Sequence, residues 1–260
     1  MPANVKAALL AVFLCLAARA VHAQFLSDLE PERPLTVEDA RPVSFRALSG
    51  SADWTYTLRK GSLNDYGPGF SLLYGAARGF EAGAALRYVT RPERNATRGI
   101  ASGDLTLHAL YQIVDESAAL PALAFRAGVE FPTGLDSKGT NLLLAALATR
   151  SFDSFRLHAN LRYSRLGDAN PEERRDRFEG VLGTDWVMPG RRGLTDTLLI
   201  ADAAVRSNPV IAARTILLLE GGFRHRLGPQ TFLFAGAGSE ITGQPDRARL
   251  RLRVGLTHVY

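Results

Sequence analysis

The chain has 260 residues, is 46% hydrophobic and 22% charged, and carries a formal charge of +5. After residue 23 no apolar run approaches the roughly 20 residues of a helical span, and the single cysteine, Cys15, excludes an internal disulfide. Apart from Lys6, Lys60 and Lys138 the basic residues are all arginine, and they are dispersed rather than gathered in a basic arm, which argues against nucleic acid as a partner.

Residues 1–23 read as a cleaved signal peptide: a basic start at Lys6, an apolar run from Ala7 to Ala18, and Val21-His22-Ala23 as a small-residue cleavage site. A membrane-anchoring helix is the alternative, but the apolar run is too short for it. Cys15 lies inside that run in the unsuitable acylation context VFLC, so the mature chain is expected to have no cysteine, no lipid anchor and a charge of +3. Residues 24–50 contain Pro31, Pro34 and Pro42 with Glu30, Glu32 and Glu38, and show no sustained period. They are expected to form a periplasmic N-terminal arm or a partial plug of a lumen.

From residue 51 to 260 the pattern has period two, because successive side chains of a strand point to opposite faces. Alternation and turn residues predict about twelve strands, over 53–60, 69–75, 80–89, 104–114, 120–131, 141–152, 155–165, 177–188, 194–206, 215–227, 231–241 and 247–260. The strand over 155–165 is among the clearest, with Phe155, Leu157, Ala159, Leu161 and Tyr163 against Arg156, His158, Asn160, Arg162 and Ser164. The strand over 141–152 is apolar on both faces, and that over 231–241 places Phe232 and Phe234 in phase with Glu240, so neither facing is fixed. The last strand sets Leu250, Leu252, Val254, Leu256, His258 and Tyr260 against Arg249, Arg251, Arg253, Gly255 and Thr257.

A soluble sandwich also alternates. Here an apolar face recurs on nearly every strand, strands run to ten residues or more, and the opposite face is too charged to be a second core. Aromatics such as Trp54, Tyr88, Tyr111, Tyr163, Trp186 and Tyr260 recur near strand ends, as an interfacial girdle requires. These features define an all-β chain, a transmembrane antiparallel up-and-down β-barrel of the Gram-negative outer membrane, with both ends on the periplasmic side and long connections outside at 91–102, 134–140 and 167–176. Lipid is then one partner, and the terminal strand ending at Tyr260 is the segment expected to meet the barrel-assembly machinery.

Gly103-Asp104-Leu105-Thr106-Leu107-His108-Ala109-Leu110-Tyr111, followed by the stretch from Leu120-Pro121-Ala122-Leu123 to Phe131-Pro132-Thr133-Gly134, resembles the outer-membrane family labelled "MetA-pathway of phenol degradation". Members carry a GDL-x-L-x-x-x-Y strand, then a PALA-type strand ending in PTG, and finish on an aromatic residue. His258 departs from that pattern, standing where the family is apolar or aromatic. The resemblance implies a small barrel that passes aromatic or other hydrophobic small molecules.

With the facing above, the lumen-lining candidates are Arg87, Asp104, His108, Arg126, Glu130, Arg156 and His158 from the first seven strands. Arg162, Glu220, Arg224, Arg249, Arg251 and Arg253 complete the set. Paired, they would stiffen a narrow lumen; unpaired, they would form an anion-attracting constriction, since arginine stays charged and holds carboxylates in bidentate fashion. The chain therefore reads as a narrow channel or transporter for small aromatic, hydrophobic or anionic solutes. A lipid-modifying enzyme is the alternative from another class, and a non-transporting scaffold a third. None of His108, His158, His225 and His258 sits in an H-x-S arrangement, no cluster has metal-ligand spacing and no phosphate loop is present, so no catalytic residue, metal or cofactor is expected.

Overall fold

A computed structural model describes residues 35–60, 64–91, 99–134, 137–188, 197–243 and 247–260, and the expected signal peptide lies outside the described residues. Twelve strands follow one another: β1 (Leu48–Arg59), β2 (Asp65–Ala77), β3 (Phe80–Arg91), β4 (Gly99–Val114), β5 (Ala122–Phe131), β6 (Asn141–Ser151), β7 (Phe155–Arg165), β8 (Asp176–Val187), β9 (Thr197–Arg206), β10 (Ile216–Arg226), β11 (Thr231–Glu240) and β12 (Ala248–Val259). Each pairs antiparallel with its sequence neighbour, and β12 closes on β1 from Ser49↔Val259 to Arg59↔Ala248. Closure leaves no strand edge bare, as backbone in hydrocarbon must have all its hydrogen bonds made internally.

The facing follows the alternation. On β12, Leu252, Val254 and Leu256 are each more than 40% exposed, whereas Thr257 is buried. In a barrel around a polar lumen that exposed side is the lipid side. A charge there at mid-membrane costs about 2–4 kcal/mol. Leu252→Arg is therefore expected to abolish the compact, heat-modifiable band on cold gels; a normal band would mean that the facing is reversed. Interfacial aromatics pair across strands, Trp54 on Tyr66 and Tyr163 on Phe178, with ring centroids 6.1 and 5.2 Å apart. At the end holding Leu48 and Val259, Thr197–His225 and Thr231–His258 bond hydroxyl to Nδ1 at 2.8 and 2.9 Å.

The ladder departs from the sequence reading, or fixes what that reading left open, in four places. First, β1 starts at Leu48, and β4 pairs back to Gly99↔Arg91 within the stretch expected as the loop 91–102, because backbone pairing continues past the alternating side chains. Second, Phe232 and Phe234 face inward at 2% and 0% exposure, where Arg224 lies 4.2 Å over the Phe232 ring and Arg253 5.4 Å from that of Phe234. Third, β6 buries Ala145, Leu147, Thr149 and Ser151 inside. Its Arg150 has the opposite parity yet is fully buried, because its guanidinium donates to the carbonyls of Ser117, Ala118 and Leu120 in the β4–β5 connection. Fourth, Arg249 is the extra residue where the β1–β12 register jumps from Leu58↔Leu250 to Arg59↔Ala248. That irregularity turns Arg249 out to an exposed position and leaves Ala248, not Arg249, on the buried side.

Candidate lumen site

Before β1 the chain runs through the barrel interior. An extended segment has unspent N–H groups, and in a closed lumen wall side chains must accept them. They do. Thr36 N–H donates to Glu220 Oε2 (2.8 Å), Val37 N–H to Asp202 Oδ2 (2.8 Å) and Glu38 N–H to Asn160 Oδ1 (2.7 Å). Ala40 N–H donates to Thr149 Oγ1 (3.0 Å) and Val43 N–H to Glu81 Oε2 (2.8 Å). Leu35 and Val37 join a buried cluster with Val181, Leu198, Ile200 and Leu218, while Ala40 joins a second one with Leu110, Ala124 and Leu147. The wall is notched where this arm passes: a Cβ on Gly183 would meet the Val37 Cβ at 2.9 Å, and one on Gly75 would meet the Ser44 carbonyl oxygen at 2.1 Å.

Below the middle of the arm lies a buried ion cluster. Arg156 grips Asp185 through Nε–Oδ1 (3.0 Å) and Nη2–Oδ2 (2.8 Å), and its Nη1 reaches Asp39 Oδ2 (3.2 Å). His158 bridges Asp185 Oδ2 (3.1 Å) and Thr149 Oγ1 (2.9 Å). Hydroxyl, imidazole and carboxylate stand in a row, as in a nucleophile relay. Thr149, however, also accepts the Ala40 N–H, and all three side chains are buried. The row ties β6, β7 and β8 to the arm.

Around the arm a cavity of about 410 Å³ remains. The wall supplies Arg87, Arg126, Arg162, Arg206, Arg251 and Arg253 to its lining and the arm supplies Arg41, against the carboxylates Glu38, Asp39, Glu81 and Glu179. Arg251 Nη2 meets Glu220 at 2.9 Å and Thr36 Oγ1 at 3.2 Å, and Arg253 Nη2 meets Asp53 Oδ1 at 2.7 Å. Arg162 joins Glu179 (2.8 Å), Glu38 and the Thr36 carbonyl, and Arg206 joins Glu240. A second space of about 370 Å³ shares Arg126, Arg162 and Arg206 and adds Arg177 and Ser164 from the strand ends next to the 166–175 connection. Positive charge thus extends from that rim to mid-lumen.

Of the thirteen sequence candidates, Arg87, His108, Arg126, Arg162, Arg251 and Arg253 line the cavity. Glu220 borders it through Arg251, and His108 lies 3.8 Å from Glu81. Arg156 and His158 belong to the buried cluster, and Arg224 to the Phe232 ring. Glu130 accepts from Asn141 Nδ2 (2.7 Å) higher on the wall. One candidate is corrected: Arg249 leaves the ladder at the bulge. Asp104 sits at the rim, where Gly134 N–H (2.9 Å) and Ser137 Oγ (2.5 Å) engage its two oxygens and it fixes the β5–β6 connection. The sequence reading did not single out Thr36, Glu38, Asp39 and Arg41 of the arm as site residues. Glu38 stood out there only as an acidic residue in a stretch without period.

No protein-family model matches the sequence, and no curated protein matches it. Among solved structures the chain is similar to an outer-membrane channel from Pseudomonas putida F1, with TM-score 0.67 and 13% identity over 89% of this chain and 100% of that one. It is also similar to the porin NanC, with TM-score 0.56 and 14% identity over 80% and 98% of the two chains. The translocator domain of the autotransporter NalP from Neisseria meningitidis gives TM-score 0.50 and 18% identity over 82% and 87%. The class is defined by fold: a closed antiparallel β-barrel of twelve strands among the described residues, the architecture these outer-membrane barrels share.

Proposed function

We propose that this barrel is a narrow channel for small anionic solutes, constricted by its own N-terminal arm. The observation that carries the reading is the cavity of about 410 Å³ lined by seven arginines and four carboxylates, continuous in charge with the arginine-bearing rim. Guanidinium groups in a low-dielectric tube raise the local concentration of anions and repel cations. A lumen of twelve strands lies between side-chain-filled eight-stranded barrels and open porins, so the arm can restrict it to small solutes. The likeness of residues 103–134 to the phenol-degradation barrels adds small aromatic acids to the candidate solutes, their ring carried past Leu73 and Leu110 and their carboxylate past the arginines. We infer passage rather than catalysis, since the Thr149–His158–Asp185 row is buried and its hydroxyl is occupied by the arm.

Replacing Arg251 and Arg253 together by alanine tests the reading. The change removes two cations and leaves Glu220 and Asp53 beside the path. The expected result is a folded, heat-modifiable barrel whose ion preference moves from anions toward cations. Unchanged selectivity in a folded barrel would remove those arginines from the path.

A further inference from the structure

Where a chain carries a side chain chemically identical to the solute a cavity attracts, that side chain competes for the same donors. Glu38 is such a group. Its carboxylate lies between two wall arginines, with Arg126 Nη1 on Oε2 at 2.5 Å, Arg126 Nη2 on Oε1 at 2.7 Å, and Arg162 Nη2 also on Oε1. Two nitrogens of one guanidinium on two oxygens of one carboxylate is the geometry by which arginine recognises carboxylates generally. Arg126 and Arg162 also line both the central cavity and the second space, so the clamp borders the two. Burial pushes the Glu38 carboxyl up, but Arg126 and Arg162 outweigh it and hold it below the ordinary carboxylate range, so it competes as an anion.

Resting on the anion-channel reading, we propose that the Arg126–Arg162 clamp is the binding site for the carboxylate of the permeating solute, and that Glu38 is a tethered stand-in whose displacement releases the arm. The tether gives Glu38 a high effective concentration at the clamp, of order millimolar for a short linker. A solute carboxylate must exceed that to win, which makes the opening dependent on solute. Once Glu38 is displaced, the neighbouring anchors at Thr36 and Val37 lose the contact that aligns them with Glu220 and Asp202. Chloride offers one acceptor atom where a carboxylate offers two for parallel N–H···O bonds, so it matches the clamp less well.

The test uses propionate, the free equivalent of the glutamate side chain, and a thiol reporter on the arm. Val37 is 1% exposed and packs at Gly183, so a cysteine there is shielded while the arm is seated. In the full chain carrying Cys15→Ser and Val37→Cys, inserted in outer membranes, the rate of reaction with a bulky water-soluble maleimide is measured in propionate and in chloride of equal ionic strength. Propionate is expected to accelerate labelling at least about tenfold over chloride, in line with displacement of a tethered competitor. Adding Glu38→Gln should make labelling fast in either salt. Equal rates in the two salts, or slow labelling that Glu38→Gln does not change, would overturn the clamp. Salt-gradient currents separate this from the channel reading: anion-preferring currents without propionate-dependent labelling refute the clamp alone. Propionate-dependent labelling in a barrel without anion preference refutes the channel reading alone.

Discussion

Replacing Arg156 by alanine is expected to cost the barrel about 3–5 kcal/mol, the usual consequence of breaking a buried ion pair from one side. Arg156 is 2% exposed and bridges Asp185 and Asp39, so its loss takes the shared cation from two buried carboxylates. The pair itself is not a net source of stability, because both charges were taken out of water to make it. A second substitution therefore discriminates: Arg156→Met combined with Asp185→Leu, which removes charge on both sides, should recover most of the loss. The temperature at which the compact band converts to the unfolded band reads both. Conversion of Arg156→Ala at the wild-type temperature would mean that the cluster is hydrated and does not bind the arm to the wall.

Deleting residues 35–43 is expected to raise single-channel conductance several-fold while the barrel still folds. The arm's N–H groups end on wall acceptors, and the strand ladder closes without it from β1 to β12. Its removal hydrates Glu220, Asp202 and Glu81 in a water-filled lumen, where an accepted hydrogen bond is replaced by water at little cost. The deleted segment also takes Glu38 and Asp39 out of the path but leaves the wall arginines, so preference for anions should strengthen as conductance rises. A deletion barrel that is folded and conducts like the intact one would show that the arm does not limit flow.

The barrel was legible because its main physical demand, lipid outside and polar groups inside, is written residue by residue with period two. Strand positions followed from that rule, and so did the inward placement of Arg126, Arg162, Arg251 and Arg253. Where a second demand competes, parity misleads. Arg249 has the right parity but sits at an irregularity that the alternation cannot signal. Arg150 has the lipid-facing parity, yet a long side chain can bend to three carbonyls. Phe232 and Phe234 look lipophilic, but an aromatic face also satisfies a guanidinium. The arm was the least readable part. Its order comes from partners between 38 and 215 positions away in the chain, so no local period marks Thr36, Glu38 or Asp39.

The most direct measurement of the central claim is the reversal potential of single wild-type channels in a planar bilayer separating two concentrations of potassium chloride. The arginine-lined path predicts small, discrete currents that reverse at the sign set by chloride, with selectivity weakening as salt screens the lumen. Reversal at the potassium side, or complete silence from a barrel shown to be folded by heat-modifiability, would contradict it.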